Sequence, residues 1–184
     1  PKNAIKVGMI GRVNSWKGQN DFLDALAPLL NKFNNLYLFI VGSAFEGQEW
    51  RVKDLEEKIN SLPNHDRIVF SEFRKDNYAV EHFFDILVLP STSPDPLPTV
   101  VLESMGCGRA VIGYAYGGII EMVKDRYNGN LVKPLDKKAL QNAVKNSIEN
   151  KSYKKWGINS RKRLIMYFSI KQFIKKFEDM YETK

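Results

Sequence analysis

One feature constrains this chain more than any other: six short runs, apolar along their length, alternate with segments of helical spacing. The runs are IKVGMI (5–10), LYLFIVG (36–42), RIVF (67–70), DILVLP (85–90), RAVIGY (109–114) and GNLV (129–132). A strand with one wet face alternates apolar and polar residues. Strands of four to six residues that do not alternate are covered on both faces, and helices between them supply the cover of a parallel sheet. Helices are expected over 18–33, 48–62, 76–84, 98–106, 136–150, 152–167 and 169–182, with a short one after Gly117-Gly118. Pro28 should kink the first, and Pro63 should end the second. Right-handed crossovers then predict an α/β fold, a doubly wound, Rossmann-like sheet of six mostly parallel strands. Helices lie on both faces, a helical tail follows, and the strand order is near 3-2-1-4-5-6. No repeat or low-complexity linker divides the 184 residues, so one domain spanning 1–184 is expected.

Composition removes several classes. With 43% apolar residues the chain can bury a core, which excludes disorder. A single cysteine, Cys107, excludes an internal disulfide and fits a reducing compartment. No run approaches the roughly 20 apolar residues of a membrane-spanning helix. Pro1-Lys2-Asn3 leads straight into the first strand, so no signal peptide is expected, and the absence of an initial Met suggests a fragment. The net charge of +7 favours anionic partners, and much of it sits in KSYKKWGINSRKR (151–163) and at Lys171, Lys175 and Lys176. A solvated helical face is the first reading of those residues, and a membrane-surface or partner contact is the second. Nucleic acid is disfavoured because no stacking motif accompanies the charges.

In a doubly wound sheet, ligands bind beyond the carboxyl ends of the strands where the order reverses, here between the first and fourth strands. The loops at those ends are GRVNSWKG (11–18) and STSPDPLP (91–98). In the first, Gly11 permits a tight turn, and Arg12 and Lys17 suit a diphosphate, one as a planar fork and the other as a point charge, although two cations in a loop, taken alone, read first as solvated surface. Neither a GxGxxG nor a GxxxxGK[ST] pattern is present. In the second, three prolines stiffen the loop and Pro98 suits the first helical position, leaving the amides of Thr99 and Val100 free to face an anion. Asp95 precedes that helix and Glu103 lies eight positions on. Carboxylates there can accept from sugar hydroxyls, but loop capping and an ordinary surface glutamate explain them equally. Gly117-Gly118 allows close approach of a ligand or, equally, a turn needing positive φ. His65 and His82 lack metal-ligand spacing, Cys107 reads as a small core residue, and Trp50 and Trp156 read as helix-packing residues. Trp16 could cover a phosphate or pack on the first helix.

Taken in order, these pieces resemble the carboxyl-terminal domain of the large retaining glycosyltransferase family with the GT-B fold, the group 1 or family-four type. Gly11-Arg12-Val13-Asn14-Ser15-Trp16-Lys17-Gly18 is similar to the family's G-R-[LV]-x-x-x-K-G segment. Asp95 and Glu103 match its E-x7-E pair. Residues 103–112, ESMGCGRAVI, resemble its EAMACGKPVI-like stretch. Gly117-Gly118-Ile119-Ile120-Glu121 and Asn128-Gly129-Asn130-Leu131-Val132 match its GG-x-x-E and NG-x-L-V elements.

The resemblance implies roles. Arg12, Lys17, Asp95 and Glu103 would form the catalytic set. The two cations would bind the donor diphosphate, Asp95 would face the donor sugar and Glu103 would bind the ribose hydroxyls. Gly11, Leu97, Thr99 and Val100 would line the donor site, and the backbone near Phe73 and Arg74 would meet the base. It also implies a UDP- or GDP-sugar donor, no metal and no other cofactor, and transfer with retention to a sugar or lipid-linked acceptor. The acceptor would be held by an amino-terminal lobe that nothing in this chain could form, so the fragment alone is expected to be inactive. Polysaccharide biosynthesis, a cytoplasmic location and peripheral contact at the inner membrane face follow from family habit. Two departures stand out: Asp95 is shorter than the usual Glu, and Glu72 replaces a common Gly. The alternatives are another GT-B enzyme, either a sugar-nucleotide epimerase or a phosphorylase, and a non-catalytic anion- or membrane-binding module.

Overall fold

A computed structural model describes residues 1–182. Thr183 and Lys184, the last positions of the expected domain, lie outside the described residues. Six strands, β1 (Ile5–Ile10), β2 (Leu36–Val41), β3 (Ile68–Ser71), β4 (Ile86–Leu89), β5 (Ala110–Tyr114) and β6 (Gly129–Val132), form one sheet in the order β3-β2-β1-β4-β5-β6. Every pairing is parallel. The apolar runs form strands because each has two dry faces to fill. In β4, Ile86 and Val88 enter one hydrophobic cluster, while Leu87 and Leu89 enter the other. The larger cluster takes Phe22 and Leu26 of α1 (Gln19–Leu26), Leu55 and Ile59 of α2 (Trp50–Ser61), and Leu140 and Val144 of α6 (Lys137–Glu149). The smaller takes Val101 and Met105 of α4 (Thr99–Gly106), with Ile119 and Met122 of α5 (Ile119–Met122).

Two helices end earlier than expected. Pro28 does not kink a continuous helix: α1 ends at Leu26 and Ala27–Asn31 tightens into a 3-10 turn, because Pro28 has no amide for the carbonyl of Asp24. The helix expected over 152–167 stops at Arg163. α7 (Ser152–Arg163) passes into a single π turn, Leu164–Phe168, and then α8 (Ile170–Glu182). α7 is tied to the sheet end. Ser160 Oγ donates to Asn128 O at 3.0 Å, and Arg163 donates to the carbonyls of Met122 and Glu121 at 2.8 Å each. α8 buries nothing among the described residues and leaves Phe173, Phe177 and Met180 exposed.

A polar network crosses the larger core. Tyr114 donates to the buried Asp21 carboxylate at 2.7 Å, and Lys137 Nζ reaches Asp21 at 3.5 Å and Asp24 at 2.6 Å. The network joins β5, α1 and α6. Burial, then the bond to Asp21, pushes the Tyr114 hydroxyl well above its ordinary pKa. Tyr114→Phe keeps the volume but leaves a buried acceptor short of a donor. It should lower stability by about 1–3 kcal/mol in urea unfolding, and an unchanged midpoint would show that the bond contributes nothing.

Candidate functional site

β1 bonds to β2 on one side and to β4 on the other, so the strand order reverses there and a crevice opens beyond the strand ends. A cavity of about 780 Å³ fills it. Arg12, Lys17, Asp95 and Glu103 line it together with Gly11, Phe73, Leu97, Thr99 and Val100. Residues from three separate stretches of sequence therefore meet in one place. Of the expected site residues only Arg74 is not in the wall. Its exposed guanidinium grips Asp76 through two bonds of 2.8 and 2.7 Å.

The 11–18 loop is held by its own polar groups. Asn14 Oδ1 accepts from the amides of Trp16 and Lys17 at 3.0 and 2.8 Å, closing an Asx turn. Gln19 Nε2 donates to Arg12 O at 2.9 Å, and Thr92 N donates to Trp16 O at 2.8 Å. Gly18 has φ 85° and lies where a side chain would overlap the carbonyl of Pro90. The loop is thus pressed onto the end of β4. The Arg12 guanidinium stacks on Phe45, 3.9 Å from the ring centroid. Lys17 Nζ donates to Asp95 Oδ2 at 2.6 Å and lies 4.4 Å from the Trp16 ring, so Trp16 covers the cavity wall.

α4 begins one residue later than the prolines suggest. Pro98 is its N-cap and Thr99 its first helical residue. The amide of Val101 bonds Pro98 O, and those of Thr99 and Val100, one turn too early for intrahelical acceptors, stand at the cavity wall. Glu103 follows on the next turn. Positive charge from Arg12, Lys17 and the helix start therefore meets two carboxylates in one cavity. Such a mixed lining suits a ligand with both anionic groups and hydroxyls. On the β2–β3 side the amide of Phe73 donates to Ser43 Oγ at 2.9 Å.

Gly117 and Gly118 do not line the cavity; they let another part of the chain come close. Asp95 forms a parallel bridge with Gly117, and Gly118 N donates to Asp95 O at 2.8 Å. Gly117 has φ 77°, and side chains at the two positions would collide with the carbonyls of Asp95 and Pro96. The pair thus seats the loop that carries Asp95. Trp50, expected to pack inside, is half-exposed beneath Arg51 at 4.3 Å and borders a smaller cavity of about 250 Å³ beyond the 11–18 loop. Trp156 packs against the core and donates to Arg126 O at 3.1 Å. His82 stacks on Tyr78, and no cluster of three or more metal-ligating side chains exists among the described residues. Sequence reasoning missed Phe45, Asn14 and Glu81. Phe45 and Asn14 sit in loops at the same sheet end, a signal that could have found them; Glu81 gave none.

This topology, with a cavity at its switch point, defines a doubly wound, Rossmann-like ligand-binding lobe. Residues 1–163 match the model of glycosyl transferases group 1, and the chain belongs to that family. An uncharacterized glycosyltransferase of Methanocaldococcus jannaschii is 30% identical over 98% of this chain and 46% of its own length. The lipopolysaccharide 1,2-N-acetylglucosaminetransferase of Salmonella typhimurium is 22% identical over 94% of this chain and 47% of its own. The chain thus spans about half the length of these relatives. Among solved structures, Anabaena HepE in complex with UDP superposes with a TM-score of 0.89 at 28% identity, over 99% of this chain and 50% of that one. The C-terminal domain of the group 1 protein LpcC from Francisella tularensis gives 0.81 at 25% identity, over 90% of this chain and 87% of that one.

Two glycines separate the cost of backbone strain from the cost of lost contact. Gly47 also has φ 77° but has open space around it. Gly47→Ala should cost about 1–2 kcal/mol, the strain of a left-handed residue alone. Gly117→Ala should cost clearly more, because the 93–98 loop must also move. Equal losses in parallel denaturation curves would remove Gly117 from its assigned role.

Proposed function

We propose that this chain is the donor-binding lobe of a glycosyltransferase that takes a UDP- or GDP-sugar. Together with an amino-terminal acceptor lobe it transfers the glycosyl group to a sugar or lipid-linked acceptor, with retention of configuration and without a metal. The observation that carries this reading is the convergence of Arg12, Lys17, the amides of Thr99 and Val100, and Glu103 on one cavity. In this reading the diphosphate lies between the two cations and the start of α4, and Glu103 accepts from the ribose hydroxyls. The hexose faces Asp95, and the base lies toward Phe73. As the bond from sugar to phosphate breaks, positive charge grows on the sugar and negative charge on the leaving diphosphate. Arg12 and Lys17 are already fixed where that negative charge develops, so little reorganisation accompanies the step. Lys17 is bound to Asp95 beforehand, which holds its ammonium inside the cavity rather than in solvent.

The relatives support this assignment. A structure sharing 28% identity holds UDP, and another is a C-terminal domain on its own. The exposed apolar face of α8 suits packing against the acceptor lobe. No helix of the described residues is long and apolar enough to cross a membrane. The basic α7 and the lipopolysaccharide enzyme among the relatives support a cytoplasmic protein in surface-polysaccharide synthesis, with peripheral contact at the inner face of the membrane.

Calorimetric titration with UDP and GDP, with and without EDTA, tests the binding site. One of the two should bind, EDTA should not matter, and Arg12→Ala should weaken binding by at least about 1.5 kcal/mol, the value of a charge-assisted bond. Glu103→Ala should weaken it too, and full affinity in both variants would refute the site. A second prediction concerns turnover: the 184 residues alone should bind the nucleotide yet transfer no sugar to acceptor. Transfer by the isolated chain would contradict the need for a second lobe.

A further inference from the structure

Among the described residues, Glu81 is the one buried acid that neither the core network nor the proposed chemistry accounts for. It lies on α3 (Asn77–Phe83) and is 1% exposed. Its Oε1 is sealed from solvent without a hydrogen-bond partner, and so is the hydroxyl of the neighbouring Ser104. Its Oε2 accepts from the Cys107 thiol at 3.9 Å, a weak donor. No salt bridge reaches it among the described residues.

What surrounds it is the back of the proposed donor site. Glu103 and Cys107 lie one turn apart along α4 and its C-cap, and both face Glu81 together with Ser104. Glu103 reaches the surface, but its charge would repel a charge on the buried Glu81 beside it, and an unpaired buried charge is costly. Both problems vanish if Glu81 carries a proton. It then has a hydrogen to donate, and the Glu103 carboxylate is the acceptor beside it. We propose that Glu81 is a positioning residue: a neutral carboxylic acid that donates a hydrogen bond to Glu103, so that one Glu103 oxygen is anchored and the other faces the cavity. The proposal rests on the assignment of Glu103 to the nucleotide ribose and adds what holds that side chain in place.

Burial, then the charge of Glu103, raises the Glu81 pKa from 4.5 to about 9, so the proton is held at neutral pH. The other titratable or charged groups around this contact are Cys107, whose thiol burial pushes up, with Arg109 and Arg161 beyond it and His82 on α3 itself. Arg109 donates to His82 O and Arg161 donates to Gly106 O, and neither forms an ion pair with Glu81 among the described residues. The sign of the linkage is fixed by these values. Between pH 4.5 and about 9 the unfolded chain has lost the Glu81 proton and the folded one keeps it, so stability should fall as pH rises across that window.

Carboxyl ¹³C NMR of glutamate-labelled chain reads the proton directly, with Glu81→Gln assigning the resonance. The expected result is a Glu81 carboxyl still protonated at pH 7, and ionisation in the ordinary glutamate range would overturn the proposal. Titration with UDP and GDP reads its consequence. Glu81→Gln keeps a donor toward Glu103 and should bind within about twofold of wild type. Glu81→Leu removes the donor and should bind about five- to tenfold more weakly, the net worth of one ordinary hydrogen bond. Between pH 7.5 and 9.5 wild type should lose affinity relative to Glu81→Gln, a difference from which the nucleotide's own ionisation cancels. Leucine binding as well as glutamate, or a wild type that tracks the glutamine variant across pH, would also overturn it. Wild-type binding that survives Glu103→Ala would be a failure of the ribose assignment instead, and the NMR titration would still decide the Glu81–Glu103 bond.

Discussion

The reversal of strand order at β1 governs the rest of this molecule. With β2 on one side and β4 on the other, the helices that follow β1 and β4 pack on opposite faces, and the loops that lead to them border a cavity at the sheet end. The crevice is a consequence of parallel pairing and right-handed crossovers rather than of any residue lining it. What the lining residues decide is its chemistry. Arg12 and Lys17 leave one lip, and Asp95, the start of α4 and Glu103 form the other.

Holding those groups at one cavity takes more of the chain than the groups themselves. Asn14 and Gln19 fix the backbone that carries the cations, and Phe45 supports the Arg12 guanidinium. Gly117 and Gly118 make room for the Asp95 loop, which no residue with a Cβ could do at that spacing. The site is thus stabilised from behind, and much of that support is backbone, asparagine and glycine rather than charge. A preorganised arrangement of this kind is what electrostatic stabilisation of a leaving diphosphate needs.

Much of the fold was readable from the sequence because its signal is local. Each apolar run is a strand, and the order 3-2-1-4-5-6 follows from handedness once the strands are known. The convergence of 11–18 with 93–103 was readable for the same reason, since topology brings the ends of β1 and β4 together. What was not readable depends on tertiary contact. Whether Gly117 serves a ligand or a neighbouring loop cannot be told from two adjacent glycines. Trp50 has the spacing of a packing residue, yet α2 buries only Leu55 and Ile59 and leaves the indole outside. Arg74 follows a site residue in sequence, but an aspartate two positions on takes its guanidinium out to the rim. Glu81 looked like one more polar position on a short helix, and only the packing of α3 on α4 shows that it is sealed.

The most direct measurement is a crystal structure of the chain with the nucleoside diphosphate it binds. The expected result places the diphosphate within hydrogen-bonding distance of Arg12, Lys17 and the amides of Thr99 or Val100, with the ribose on Glu103. A diphosphate seated elsewhere, such as in the smaller cavity beside Trp50 and Arg51, would contradict the assignment of the donor site.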